Sequence, residues 1–210
     1  MGRVHDGRRA AARMATRGLA VAAAAGLSAC AALGGGGAPP DIYDLTVPAS
    51  IEDAGGGRTT AQILVPAPSA IDALNTTRVV VRPSGAQIAY FPGTSWSDEL
   101  PSLVQAKLVR AFEDSGKAKA VGRPGESLAI DYQVIVDIRA FELDIAGGRT
   151  AHVALGVKLL DDRSGQVRAT RVFDARVPAR SDAPADAIAA LDAAAGQAFT
   201  EIVAWTAGAI

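Results

Sequence analysis

From Ser127 to Leu143 apolar and polar residues alternate along the chain. Leu128, Ile130, Tyr132, Val134, Val136 and Ile138 fall on one face, with Ala129, Asp131, Gln133, Ile135, Asp137 and Arg139 on the other. A period of two is that of a β-strand with one face covered and one open. A strand of this length belongs near the middle of a sheet. Beyond Ala140 the order flips, because Phe141 and Leu143 are now the apolar residues, and a bulge or strong twist there would explain it. Gly147-Gly148 makes a turn, and Thr150 to Leu160 follows with Val153, Leu155, Val157 and Leu159 on one face. Asp161-Asp162-Arg163-Ser164-Gly165 reads as a hairpin connection. Val167 to Val177 then returns with Val167, Ala169, Phe173, Ala175 and Val177 on one side. The three strands read as an antiparallel meander.

Two helices flank this unit. Leu100, Leu103, Val104, Leu108, Ala111 and Phe112 recur at helical spacing. Ser97 is the expected N-cap, Asp98 and Glu99 suit the positive end of the dipole, and Gly116 ends the helix. A second helix is expected from Asp182 to Trp205, with Ile188, Leu191, Ala195, Phe199, Ile202 and Val203 as its buried stripe and Pro184 in its first turn. Upstream, Asp41–Pro48, Thr60–Pro66, Arg78–Arg82 and Ala86–Phe91 have strand character, and Pro83-Ser84-Gly85 separates the last two. Ser69–Asn75 suits one helical turn capped by Ser69, and Ala49–Thr59 reads as a flexible loop. The order of strands, helix, strands, helix predicts an α+β domain: an antiparallel sheet with two long helices packed on one face.

The first residues have another character. Arg3, Arg8, Arg9, Arg13 and Arg17 precede a run from Gly18 to Ala29 of apolar and small residues. That is the layout of a secretory signal peptide, and the run is too short for a hydrocarbon core that needs roughly 20 residues. Arg8-Arg9 raises a twin-arginine export reading, but Ala10-Ala11-Ala12 does not continue that pattern. Leu27-Ser28-Ala29-Cys30 resembles the lipobox of bacterial lipoproteins, which implies cleavage by signal peptidase II before Cys30 and acylation of its thiol with palmitate-type chains. A buried cysteine in an uncleaved N-terminus is the alternative. The residues that follow, Ala31 to Pro40, include four consecutive glycines and two prolines and cannot pack as a core. Ala31 after the cysteine, in place of aspartate, resembles lipoproteins sent to the outer membrane. The expected divisions are a signal peptide 1–29, a lipidated cysteine and flexible tether 30–40, and one domain 41–210.

Removing residues 1–29 leaves 181 residues with sixteen basic and twenty-one acidic side chains, a net charge of −5. An acidic domain is a poor partner for nucleic acid, whose phosphates need a basic face. Cys30 is the only cysteine, so its acylation leaves no thiol for a disulfide or for nucleophilic catalysis.

Residues that could carry reaction chemistry are few. His152 is the one histidine after residue 29. No H-x-x-H, H-E-x-x-H or C-x-x-C surrounds it and no G-x-S-x-G exists, so a structural role is expected, with a hydrolase using His152 as the competitor. Asp161 and Asp162 are neighbours and point to opposite faces of a strand. Asp131 and Asp137 share a face but stand about 20 Å apart, too far for paired carboxylate catalysis. Gly55-Gly56-Gly57 lacks the Lys-Ser/Thr ending of a P-loop. Tyr90, Phe91 and Trp96 gather before the first helix. Core packing is their default role and partner binding the alternative, since aromatics anchor interfaces. No cofactor and no metal site is expected.

With these pieces in place, the chain resembles the auxiliary lipoproteins of ABC-type transport systems (PqiC-like). The resemblance rests on Asp41-Ile42-Tyr43-Asp44-Leu45, on Trp96-Ser97-Asp98-Glu99-Leu100-Pro101 followed by Leu103-Val104-Gln105, and on Asp131-Tyr132 to Phe141-Glu142. Leu159-Leu160-Asp161-Asp162-Arg163-Ser164-Gly165 and the Ala-rich helix ending at Trp205 also fit. It implies a non-enzymatic component, tethered on the periplasmic face of the envelope. Such a component accompanies an MCE-domain protein with its ABC permease and ATPase in lipid transport, with phospholipid or another lipid as cargo. An envelope lipid-binding chaperone is the alternative of another class, and it would need an apolar cavity between sheet and helices.

Overall fold

The computed structural model describes residues 39–210. The expected signal peptide, Leu27-Ser28-Ala29-Cys30 and the tether as far as residue 38 lie outside the described residues. The elements follow in order: β1 (Asp41–Tyr43), a 3-10 turn (Ala49–Asp53), β2 (Gln62–Leu64), β3 (Ser69–Ala70), β4 (Arg78–Ser84), β5 (Gln87–Trp96) and α1 (Leu100–Ser115). Then come β6 (Ala120–Gly122), β7 (Tyr132–Asp144), β8 (Thr150–Asp161), β9 (Gln166–Pro178) and α2 (Pro184–Ala209).

β7 is the axis of the sheet. Along one edge it pairs antiparallel with β8 over its whole length, and β8 pairs antiparallel with β9, as the meander reading expects. Along the other edge it takes three short strands in succession, all parallel. Tyr132 and Gln133 pair with β2, Asp137 and Ile138 with β3, and Glu142 to Asp144 with β4. β6 extends the sheet parallel to β2, while β5 pairs antiparallel with β4 and carries β1 parallel to it. The α+β class stands, but the sheet is mixed, which corrects the antiparallel expectation. Parallel neighbours need a crossover, and α1 with its flanking loops supplies it between β2–β4 and β7. Hairpin signals between adjacent segments carry no information about such distant pairs.

The core collects the inward residues of the meander: Val134, Val136 and Ile138, then Val153, Leu155, Val157 and Leu159, then Phe173 and Ala175. The expected apolar stripes of both helices join them. α2 packs on β7, β8 and β9, and α1 packs on α2, β6 and the 3-10 turn. Ala187, Ala190, Ala194, Ala195 and Ala198 are buried on α2, where small side chains let the helix approach the strands closely. By length and composition α2 is apolar enough to cross a bilayer, yet most of it is buried in this fold. It is a core helix. Trp205 closes one end, meeting Phe173 edge-on at 5.6 Å between ring centroids.

The flip expected near Ala140 is a β-bulge. Ile138 pairs with Leu155 and Ala140 with Ala154, so Arg139 has no partner on β8. The extra residue carries Phe141 and Leu143 to the buried side, where both are covered.

Local expectations fail in places where tertiary partners intervene. Ser97 does not cap α1. Its N–H donates to the Tyr43 carbonyl at 2.7 Å and its hydroxyl to Asp44 at 3.1 Å, so it prolongs the β1–β5 pairing and the helix starts at Leu100. Ser69 does not cap a helical turn either: it lies in β3, and a turn closes behind it with Leu74 and Asn75 N–H groups donating to the Ile71 carbonyl. The long strand begins at Tyr132 rather than Ser127, which has a positive φ of 54°. β6 escapes sequence reading because three residues are too few to show a period.

Candidate functional site

The aromatic trio separates by depth. Trp96 is 2% exposed and meets Phe141 edge-on at 5.7 Å, inside the core. Buried there, its ring has no face for a partner. Tyr90 and Phe91 are half-buried on β5. The Tyr90 hydroxyl donates to the Ala73 carbonyl at 3.2 Å, and the Arg78 guanidinium lies over its ring, 3.5 Å from the centroid. Ile88, on the same strand, is exposed.

Where the chain enters the domain, polar contacts fasten it to both helices. Asp44 accepts from the Lys107 ammonium of α1 at 2.6 Å, from Ser97 at 3.1 Å and from the Leu45 N–H at 2.9 Å. Burial alone would raise the Asp44 pKa, but these donors outweigh it and hold the carboxyl below its ordinary value. Two residues on, Asp192 of α2 accepts from both the N–H and the hydroxyl of Thr46 at 2.7 Å. Beside this clamp runs a groove of about 480 Å³, lined by Thr46, Pro48, Asp192, Gly196, Thr200 and Glu201. Gly196 is required there, because a Cβ would stand 2.8 Å from the Pro48 ring.

The outer face of the meander carries a ladder of charges. Glu142 is buried and forms a two-point ion pair with Arg82 of β4, the Nη2–Oε2 contact being 2.7 Å. This hydrogen bond raises the Arg82 pKa above its ordinary value. His152 stands opposite Glu142 in register. Its Nε2 lies 2.9 Å from Asp174 and 3.1 Å from Arg176, and Arg176 Nε donates to Asp174 at 3.2 Å. With a proton, Nε2 donates to Asp174; without one, it accepts from Arg176. The His152 hydrogen bond lowers the Asp174 pKa, against the upward effect of burial. Both neighbours of His152 are charged, and these contacts tie β8 to β9.

The other carboxylates from the sequence are likewise engaged. Asp131 accepts from the Gln62 N–H at 3.0 Å and from Arg163 at 2.9 Å, and the first of these leads the lowering of its pKa. Asp161 accepts from the Ser164 N–H at 3.0 Å and closes the hairpin turn. Asp137 accepts from Ser69 and from Arg139. Among the described residues no three His, Cys, Asp or Glu side chains converge as a metal centre requires. Sequence reading passed over Gly156, the one glycine inside β8; a glycine within an otherwise regular strand pattern was the available signal.

The fold has counterparts. The crystal structure of protein XCC0632 from Xanthomonas campestris superposes with a TM-score of 0.72 at 34% identity, over 80% of this chain and 96% of that one. The protein CT253 of Chlamydia trachomatis, 12% identical with a TM-score of 0.51 over 71% of this chain and 97% of its own, shares the fold. In sequence, the chain is 33% identical over 174 residues to the protein bll6063 of Bradyrhizobium diazoefficiens, which covers 82% of this chain. The chain spans about half the length of that relative, 47%. The family described as the ABC-type transport auxiliary lipoprotein component matches residues 43–203, from the first strand into the last helix, and the chain belongs to that family.

Proposed function

We propose that the chain is a non-catalytic auxiliary subunit of an ABC/MCE-type lipid transport system. It is held through acylated Cys30 on the periplasmic face of a membrane, the outer one by its Ala31, and docks on the periplasmic MCE-domain protein. The observation that carries this reading is family membership over nearly the whole domain, residues 43–203. The bracing of the charged side chains supports it: His152 and the aspartates are committed to ion pairs and turns, as suits a scaffold. On this reading the docking face is the ribbon of β4 and β5, a choice supported by the exposure of Ile88 and the half-buried Tyr90 and Phe91. Trp96 supports that ribbon from inside. Acyl chains supply the membrane affinity, at about 0.8 kcal/mol per buried CH₂.

The test is affinity purification of the full chain from solubilised envelopes. Recovery of an MCE-domain protein with its permease and ATPase is expected, weakened by Ile88→Asp on the ribbon. Recovery of the chain alone, from cells that express all of those partners, overturns the docking reading. A His152→Ala variant is expected to retain full activity in a lipid-transport assay, which removes the hydrolase alternative.

A further inference from the structure

Four observations meet at one place on the outer face of the sheet, apart from the ribbon and the clamp. The first is the bulge: Arg139 has no partner on β8, so its side chain is re-aimed where the regular pleat would not send it. The second is Gly156, opposite Asp137 in register. A Cβ at that position would lie 2.6 Å from Arg139 Nε and 2.8 Å from Cζ and Nη2, so the guanidinium lies across the strand only because residue 156 is glycine. Glycine in a strand interior weakens the strand and often marks a close approach. The third is a pin: Asp137 accepts from Arg139 Nε at 3.3 Å and from the Ser69 hydroxyl at 3.1 Å, leaving the terminal nitrogens of Arg139 free of it. The fourth is Lys158, which is exposed and, among the described residues, has no carboxylate within ion-pair distance. Arg139, Lys158, Ser69, Asp137, Gly156 and Thr170 line a cleft of about 170 Å³.

We propose that this cleft binds a phosphate-class oxyanion, with Arg139 and Lys158 as its cationic ligands and the Thr170 hydroxyl as a neutral donor. A guanidinium presents parallel N–H groups that match two phosphate oxygens, and an ammonium adds a point charge. Asp137 neutralises one of the two cations and holds Arg139 flat, so the cleft keeps a net charge of +1 within a chain that is acidic after residue 29. A phospholipid headgroup and a soluble phosphate share this chemistry. The site does not depend on docking to a transporter, and its test uses the isolated full chain.

The amide of Gly156 and the Nε–H of Arg139 are followed by NMR during titration with inorganic phosphate, glycerol 3-phosphate and dihexanoyl phosphatidylglycerol below its micelle concentration. Saturable shifts at both groups are expected. Lys158→Gln and Arg139→Gln should each weaken binding about tenfold, the size expected for losing one hydrogen bond to a charged group. Lys158→Arg should retain it, and Arg180→Gln, outside the cleft, should leave it unchanged. Gly156→Ala should displace Arg139 and weaken binding to about the same extent as Arg139→Gln. Tighter binding of the short phospholipid than of inorganic phosphate identifies a headgroup, and equal binding identifies a free phosphate. Absence of shifts with all three probes, or shifts that survive both Lys158→Gln and Arg139→Gln, overturns the proposal.

Discussion

Asp44 shows how a single carboxylate can join the entry of the domain to a helix. The Lys107 ammonium, the Ser97 hydroxyl and the Leu45 N–H all favour its ionised form, so its folded pKa lies below the ordinary 3.8. A depressed carboxylate stabilises the fold above its unfolded pKa, and that contribution is lost as pH falls through the lowered folded value. The Asp44 side chain is 55% exposed, so solvent screening holds the effect to about 1 kcal/mol. Asp44→Asn is therefore expected to lower stability by about 1 kcal/mol at pH 7, read by urea denaturation. The gap between variant and parent should shrink below about pH 4; a gap that stays constant through that range would refute the linkage. Trp96 sits at the opposite extreme of burial. Removing its ring leaves a cavity against Phe141, and Trp96→Ala should cost about 3–5 kcal/mol. The same denaturation curves measure it. In the sequence Tyr90, Phe91 and Trp96 form one cluster. What separates them is the irregular pairing of β4 with β5, whose register shifts between Arg78 and Val80, and residue types do not encode that shift.

At the level of elements, the meander and the helix stripes were readable because each has its own period over ten residues or more. The bulge was readable too, since an apolar pattern that changes parity needs an extra residue. This makes a sharp expectation. Deleting Arg139 leaves Ile138, Phe141 and Leu143 at a regular period of two, so all three stay on the buried side without a bulge and the variant should still unfold cooperatively. Inserting an alanine after Ala140, with the bulge kept, instead shifts the parity and turns Phe141 and Leu143 to the solvent side, a cost above about 4 kcal/mol that should abolish cooperative unfolding. Circular dichroism melts distinguish the two. The three parallel strands beside β7 were not readable: β2, β3 and β4 contribute two or three pairs each, and their partner lies more than fifty residues downstream. The phosphate cleft was half-legible for the same reason. Gly156 and Arg139 stand out as breaks in a period, but Ser69 reaches Asp137 across 68 residues, and no local pattern announces that contact.

For the whole molecule, the proposed tethering raises the question of what would hold it at a membrane. Three sources are available to a chain like this: an apolar helix, a basic surface, or a covalent lipid. α2 has the composition of a membrane span, but its apolar stripe is spent on the sheet, with Leu191, Phe199, Ile202 and Val203 all buried. A net charge of −5 after residue 29 opposes binding to anionic headgroups, which attract basic segments. The proposed acylation of Cys30 is the remaining source, and on that reading attachment should depend on one sulfur. Cys30→Ala is expected to remain an uncleaved precursor or to appear in the soluble envelope fraction. Globomycin, which blocks signal peptidase II, should accumulate precursor of the parent chain. The clamp variants Thr46→Val and Asp192→Ala, which should cost the fold about 1 kcal/mol each by losing a hydrogen bond to a carboxylate, should still fractionate with membranes. Fractionation and immunoblotting read all of these at once. If mature, processed Cys30→Ala protein stays with the membrane to the same extent as the parent, another part of the chain holds it there, and both the lipidation and the tethered-subunit reading are wrong.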